Sequence, residues 1–514
     1  MKKSLIILLC VSSVFVYSHL FTDPYILPKW FASLATVSIV TVYITMMLLM
    51  RKRISVGIIE HYTVFVSVCF VQACYGIAQY YNLFHPLSIF KVSGSFDNPA
   101  GYAACLITGI PFVAALWTAA HYRYLRLLLA VTFLSIIIAI ILSRSRTGIV
   151  SITFLFVLYL FMNIKSSIVR TLAICFFIVV MAGSYCLKKD SANGRLLIWR
   201  CGLEMAQDKL WFGHGAGGFE AHYMDYQARY LAGHPDSPYA KLADNVKYPF
   251  NEYLAILINY GIVGIFILFM IVAGLTYCYK RNPKRTKIPA AYTLIGLGIF
   301  SFFSYPFTYP FTWVVALFCV YVIIYPIFAV SSFSNWLRYV GCLIMLVGST
   351  LFVYKLCMRI YSEYCWGTAY QQISVGKMHD GILEYCRLEQ ELTMNPYYLY
   401  NYASILYMQK YYKESLRIAQ MCRQYWADYD LELLIGDNYA SLHNSSAADY
   451  YYKAANMCPS KFLPLVKLHD YYKDTEQWSK ANEMAQMIIK KNMKIKTAEI
   501  MWIKEQMRKE MLPK

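Results

Sequence analysis

The chain has 514 residues, of which 58% are apolar, 17% aromatic and only 15% charged. That charge is too sparse to cover a water-soluble body of this size, and the apolar residues come in long blocks, which excludes a single large soluble core and points to membrane spans. The formal charge is +19, and over the first 340 positions the basic residues lie mostly in short loops between apolar blocks; with no aromatic-interleaved basic groove and no zinc-finger spacing, this speaks for basic membrane loops and no nucleic-acid partner.

Lys2 and Lys3 precede an apolar stretch over 1–20 with the outline of a signal peptide. Tyr17-Ser18-His19 is a poor small-residue cleavage site and many spans follow, so the stretch is expected to remain as the first span. In order, the candidate spans are roughly 4–20, 30–50, 56–80, 101–120, 125–142, 147–162, 169–187, 253–279, 290–305, 310–329 and 337–354. Several fall short of the ideal of about 20 residues. With this count, Lys2/Lys3, Arg51-Lys52-Arg53, Arg123/Arg126, Lys165/Arg170, the basic residues of 280–287 and Arg338 all fall on one side. That side should be cytoplasmic, and the N-terminus with it. The opposite loops, 21–29, 81–100 and 301–309, are mostly acidic or neutral. The fifteen cysteines are scattered, with no CxxC, and read as small hydrophobes in helices; they form neither a disulfide framework nor a metal site.

After Tyr354 the texture turns to mixed polar and aromatic residues with helical periodicity and an internal repeat of about 33–34 residues. Ala403, Tyr407, Ser415, Ala419 and Cys422 align with Gly436, Tyr439, Ala448, Tyr452 and Ala455, apart from a one-residue slip at Tyr407; His469, Tyr472, Ala481, Ala485 and Ile488 continue the series. Small residues at these positions let antiparallel helices pack closely, which is the tetratricopeptide (TPR) pattern. Asn395-Pro396 and Cys458-Pro459 mark unit boundaries, and a weaker unit spans 363–395. The expected fold class is therefore all-α: a polytopic transmembrane helical bundle of about 11–12 spans plus a C-terminal α-solenoid of TPR-like helix pairs. The expected domains are 1–354, with a long outer loop over 188–250, and 355–514, which the span count places outside the cytoplasmic membrane. The repeats are expected to hold a protein partner or orient an acceptor, or else to serve as a structural cap.

Two outward segments break the charge rule. Ser143-Arg144-Ser145-Arg146-Thr147-Gly148 sets two arginines beside three hydroxyls at a membrane boundary. Guanidinium forks match phosphate oxygens better than a lysine does, which suits a diphosphate whose tail stays in lipid; headgroup snorkelling is the plainer account. In the long loop, Asn193-Gly194-Arg195 opens a helix-like segment that puts Arg195 and Trp199 on one face. Arg195 is a candidate second phosphate clamp and Arg200 a weaker one, against an amphipathic helix anchored in the membrane by Trp199. The glycine-dense run Trp211-Phe212-Gly213-His214-Gly215-Ala216-Gly217-Gly218 is neither a P-loop nor a dinucleotide fingerprint, and reads as a close backbone approach. His214 there could contact substrate or be purely structural. Asn251 could cap the apolar helix that runs on through Gly261 and Gly264, with Glu252 in its first turn; alternatively either residue orients an acceptor. Asp97 and Asn98 read as a turn, with a substrate-facing role as the alternative.

These segments together resemble the O-antigen ligase/polymerase superfamily, the Wzy_C-type proteins. The matching pieces are SGSFDNPAG at 93–101, LSRSRTGIV at 142–150, NGRLLIWRCGLEM at 193–205, WFGHGAGGFEAHY at 211–223 and FNEYLAILINYGIVG at 250–264. The likeness covers roughly residues 60–330. It implies a lipid-linked glycosyltransferase that moves a glycan from undecaprenyl diphosphate to an acceptor in the periplasm of a bacterial inner membrane, with neither cofactor nor metal. It also implies that Arg144 or Arg146 is the membrane-edge arginine and Arg195 the loop arginine at the diphosphate. One departure stands out. Ligases of lipopolysaccharide commonly carry a histidine in a His-x10-Gly pattern, and counting back from Gly261 lands on Phe250, which accepts no proton. Glu252 and His214 are the candidate substitutes. The expected activity is ligase-like transfer to lipid A-core, another glycolipid or a protein; the alternative is a polymerase whose acceptor is another glycan repeat. A transporter would need charged residues in its spans, and these are few, Glu60-His61 being the exception. A non-enzymatic assembly scaffold would have no use for outward arginines.

Overall fold

The computed structural model describes residues 3–50, 57–86, 88–328, 335–493 and 496–511, and every long regular element among them is an α-helix. Seven apolar helices come first: α1 (Lys3–Val14), α2 (Leu27–Leu49), α3 (Ile58–Tyr80), α4 (Pro99–Ala119), α5 (Arg123–Leu142), α6 (Arg146–Asn163) and α7 (Ser167–Leu187). Two more polar helices follow, α8 (Lys189–Asp208) and α9 (Gly218–Gly233). Then come α10 (Glu252–Arg281), α11 (Ile288–Ser301), α12 (Pro310–Phe328) and the long α13 (Asn335–Ser374). The last eight are α14 (Met378–Leu392), α15 (Pro396–Met408), α16 (Tyr412–Arg423), α17 (Tyr429–Ser441), α18 (Ala447–Met457), α19 (Leu463–Asp474), α20 (Trp478–Lys490) and α21 (Ala498–Met511).

The chain is a multi-pass membrane protein: among the described residues eight helices are long and apolar enough to cross a bilayer. Of the eleven expected spans, those at α1 and α12 are shorter apolar helices, and α11 has 14 residues. The first stops early for a local reason. Asp23 accepts the N–H groups of Tyr25 and Ile26, and Ser18 N–H donates to the Pro24 carbonyl, so residues after Val14 fold into a turn. Of the loop charges that set the expected orientation, Lys2 and Arg51-Lys52-Arg53 lie outside the described residues, as do the side chains of Lys3 and Arg338.

Two compact units emerge. The first comprises Met1–Leu187, Phe250–Glu252 and Ile267–Thr368; the second comprises Lys188–Pro249, Tyr253–Phe266 and Ala369–Lys514. The 188–250 loop, drawn above with the membrane spans, thus groups with the repeats. In the first unit glycines bring helices together: a Cβ at Gly76 would meet the Tyr102 hydroxyl at 2.0 Å, and one at Gly109 would meet the Cys69 sulfur at 2.8 Å. Tyr62, Phe65, Phe112 and Phe318 stack into an aromatic core between these helices.

In the second unit, α15/α16, α17/α18 and α19/α20 form helix pairs, and α14 pairs with the end of α13. Each pair turns on a left-handed residue, at Gly376, Lys410, His443 and Glu476. The next N–H in each case reaches five residues back, to Gln372, Leu406, Tyr439 and Tyr472. These are Schellman closures, and three of the four use a residue other than the usual glycine. Asn395 and Asp428 cap α15 and α17 with their side-chain oxygens. Ser415 Oγ donates to the Ala403 carbonyl and accepts from Asn438, tying one pair to the next. One register differs from expectation. The buried stripe of α18 is Ala447, Tyr451 and Ala454, whereas Tyr452 is 37% exposed and Ala448 and Ala455 are half-buried. That stripe begins four residues after His443, where α16 and α20 begin five after Lys410 and Glu476.

The repeats enclose a segment of their own chain. Arg423 on α16 forks onto both carboxylate oxygens of Asp225 on α9 at 2.6 Å and reaches the buried Glu432. Lys453 joins the same two carboxylates. Burial works against charge on Asp225, but Arg423 and Lys453 prevail and hold its carboxyl below the usual range. Gln227 donates to the Met457 carbonyl, Ala427 N–H to the Glu220 carbonyl and Tyr429 N–H to Asn245.

Candidate functional site

The candidate residues fall into two groups, one in each unit. In the first unit they gather around residues 301–309. The 93–98 turn is built by two buried glutamines of α3. Gln79 Oε1 accepts the N–H groups of Ser93 and Gly94, and Gln72 Oε1 accepts that of Ser95. Gly94 sits at φ +58, and a Cβ there would stand 2.5 Å from Gln72 Oε1 and from the Tyr102 ring, a place for glycine alone. The buried Lys29 donates to the Ser95 and Tyr25 carbonyls and so fastens α2 to this turn.

So held, Asp97 and Asn98 meet the 301–309 loop. Asn98 caps α4 by accepting from Ala100 and Gly101 N–H, and its amide donates to the Tyr309 hydroxyl at 2.8 Å and the Tyr305 hydroxyl at 3.3 Å. Tyr309 in turn donates to Asp97 at 2.8 Å. Burial pushes the Asp97 carboxyl above its usual range even though Tyr309 and Asn98 donate to it. Glu252, the first residue of α10, accepts the Phe307 N–H at 3.2 Å. Asn251 precedes it, half-buried. Phe250 has a left-handed backbone, φ +53, and lays its ring against Tyr305 at 5.4 Å. Thr147 donates to the Phe303 carbonyl. The loop therefore links the 97–98 turn, the start of α6 and the start of α10.

Arg144 and Arg146 flank the turn between α5 and α6. Ser143 and Ser145 close it, the first bonding the Ile140 carbonyl and the second capping Gly148. Arg144 is left-handed, φ +54, and exposed, with no side-chain partner among the described residues. A non-glycine residue adopts that conformation only when its surroundings impose it. Arg146 is half-buried and reaches the Ser184 carbonyl near the end of α7 at 3.4 Å.

In the second unit α8 starts at Lys189, so Asn193-Gly194 lies inside the helix and does not open it. Arg195 is half-buried on α8. Trp199 donates to the Pro249 carbonyl at 3.0 Å, and Arg200 lies over the Tyr230 ring at 4.8 Å. His214 Nε2 lies 2.8 Å from the Met205 carbonyl, which makes that nitrogen the protonated one. The glycine run around His214 is a close backbone approach. α10 is not continuous: its two segments meet at Gly261, φ +64 and ψ −160. The broken ladder is closed by the run. Ile262 and Val263 N–H donate to the Leu210 and Trp211 carbonyls, while His214 and Gly215 N–H donate to those of Ile258 and Asn259. A Cβ at Gly213 would meet the Asn259 backbone at 2.4 Å, and one at Gly261 the Trp211 carbonyl oxygen at 2.3 Å.

Three residues of the first group escaped the sequence reading: Lys29, Tyr305 and Tyr309. A signal for the tyrosines was present, since residues 305–312 read Tyr-Pro-Phe-Thr twice in tandem. Lys29 gave no such sign. Among the described residues no group of three or more His, Cys, Asp or Glu is gathered as a metal site requires.

Against known proteins, residues 129–269 match the family model described as O-Antigen ligase. No curated protein matches the chain. Among solved structures, the crystal structure of the yeast Tom70 aligns over 93% of this chain and 96% of its own at 10% identity, with a TM-score of 0.25, a likeness that carries no argument.

Proposed function

We propose that this chain, which carries an O-antigen ligase domain over residues 129–269, transfers a glycan from undecaprenyl diphosphate to an acceptor hydroxyl at the periplasmic face of a bacterial inner membrane. The N-terminus is then cytoplasmic and the repeats periplasmic. The observation that carries the reading is Arg144, an exposed guanidinium on a left-handed turn between two apolar helices, with Arg146 two residues on.

In this reading Arg144 and Arg146 hold the diphosphate, and Arg195 and more weakly Arg200 are the phosphate-clamp candidates that α8 offers. They stabilise charge as the bond from the anomeric carbon to the diphosphate oxygen breaks. The acceptor oxygen attacks the anomeric carbon from the opposite face, with inversion, and the diphosphate leaves with the bonding pair. Glu252 has one oxygen engaged by Phe307 N–H and uses the other to take the acceptor proton. Asp97 and Asn98, fixed by Tyr309, orient the acceptor. Asn251 lines the same end of α10. His214, whose Nε2 is committed to Met205, keeps Nδ1 as its basic nitrogen and stands behind Glu252 as the second candidate for that proton.

The acceptor decides between a ligase (lipid A-core, another glycolipid or a protein) and a polymerase (a further glycan repeat). Comparing glycan linkage with chain length in a deletion strain separates them. The primary test is in vivo complementation. Arg144→Ala, Arg146→Ala and Arg195→Ala should each reach the membrane at normal levels, and loss of one charge donor should cost about two to three orders of magnitude in transfer. Normal glycan product from all three would overturn the proposal.

A further inference from the structure

The break in α10 lies about one bilayer core from the basic end of the helix. From Ile262 to Tyr279 the helix carries no charge, and Lys280-Arg281 close it. Those 18 residues span about 27 Å at a rise of about 1.5 Å per residue, close to the ~30 Å of a hydrocarbon core. Gly261 therefore lies where the core ends, on the side opposite Lys280. The Gly213 run is bonded to the backbone at that level, through Leu210 and Trp211 to Ile262 and Val263.

The run presents three consecutive apolar side chains outward: Leu210 is 42% exposed, Trp211 67% and Phe212 77%. Three adjacent exposed apolar residues are not tolerated on a water-facing surface without a purpose. Exposure continues onto the helix through Ile262, Val263 and Phe266, and Lys209 beside them is also exposed. We infer that Leu210, Trp211 and Phe212 form a membrane-interface anchor that inserts into the acyl–headgroup boundary of the leaflet opposite Lys280, with Lys209 at the headgroups. The occupant is lipid because the patch continues the lipid-facing surface of α10, and because an aromatic pair with a neighbouring lysine suits that boundary. The backbone clasp makes the anchor rigid, so it sets the height of the 210–215 segment relative to the bilayer. This inference does not depend on the glycosyltransferase reading.

Intrinsic fluorescence of the full chain in phosphatidylcholine–phosphatidylglycerol liposomes tests it. The emission lost in Trp211→Phe is that of Trp211, and the substitution sits on an exposed side chain that the fold does not need. That difference signal should be blue-shifted, lose about half its intensity to lipids brominated near the headgroup, less to lipids brominated near the bilayer centre, and be little quenched by aqueous iodide. Quenching by iodide without quenching by brominated lipid would overturn the inference, as would a maximum at the bilayer centre. A signal quenched by neither would place Trp211 under protein and would equally overturn it.

Discussion

Substituting Gly261 by alanine probes the joint at which the two segments of α10 meet. The residue sits at φ +64, ψ −160, a region essentially closed to side chains, and occupying it costs about 1–3 kcal/mol. A Cβ would also stand 2.3 Å from the Trp211 carbonyl oxygen and 2.6 Å from that of Leu210. These are backbone atoms and cannot step aside by changing rotamer. Relief requires the clasp to open, which forfeits the bonds from Ile262 and Val263 N–H, each worth about 1 kcal/mol net. The total is about 3–5 kcal/mol, which in a unit of this size lowers the melting temperature by roughly 10 °C. Gly274→Ala is the control, since a Cβ there meets nothing within 4 Å. Cys201, Cys422 and Cys458 are buried in the same unit, so a thiol-reactive dye reports its unfolding in detergent. If Gly261→Ala and Gly274→Ala melt together, the glycine run does not support the helix break and the account of the clasp is wrong.

Removing Arg423 as Arg423→Ala leaves Glu432, which is fully buried, and Asp225 to share Lys453 alone; breaking such a pair costs about 3–5 kcal/mol, and limited proteolysis should cut within 188–249 where the wild type resists. Tyr309→Phe deletes the hydroxyl between Asp97 and Asn98, a cost of about 1–3 kcal/mol, and should abolish transfer while the protein still inserts; unchanged transfer would remove the 305–309 loop from the site. Burial, with Asp430 beside it, raises the Asp428 carboxyl from the ordinary carboxylate range to about 7. A raised acid stabilises the fold below its unfolded value and loses that contribution as pH climbs through 7. Asp428→Asn keeps an oxygen to cap α17, so its melting curve should match wild type near pH 4 and exceed it above pH 7; identical curves at both ends would show that Asp428 titrates normally.

What the sequence discloses tracks how local the cause is. The spans are legible because each is a single apolar block, and the repeats because small residues recur at a fixed period. Lys410, His443 and Glu476 hide the turns of those repeats, since none is the glycine that a left-handed cap leads one to seek. The glycine run could be read as a close approach, but its partner could not. Nothing in the apolar stretch of α10 announces a break at Gly261, because the break is made by a segment some fifty positions earlier. A lipid anchor was the alternative for Trp199, since a tryptophan on an amphipathic helix often is one; its bond to the Pro249 carbonyl is set by tertiary packing. Likewise the Tyr309–Asp97 bond joins residues 212 positions apart, beyond any local pattern.

The enclosure of α9 by the repeats fixes an order of events in biogenesis. Asp225 must wait 198 residues of synthesis for Arg423, and Gln227 must wait 230 for Met457. Until the last helix pairs leave the ribosome, the buried faces of α9 have no cover and the 188–250 loop has no finished shape. A chain truncated between residues 374 and 457 would carry all of its candidate membrane helices yet lack a completed loop. The later helix pairs are thus part of the loop's own structure, and shortening the chain from that side undoes the loop before it reaches a membrane helix.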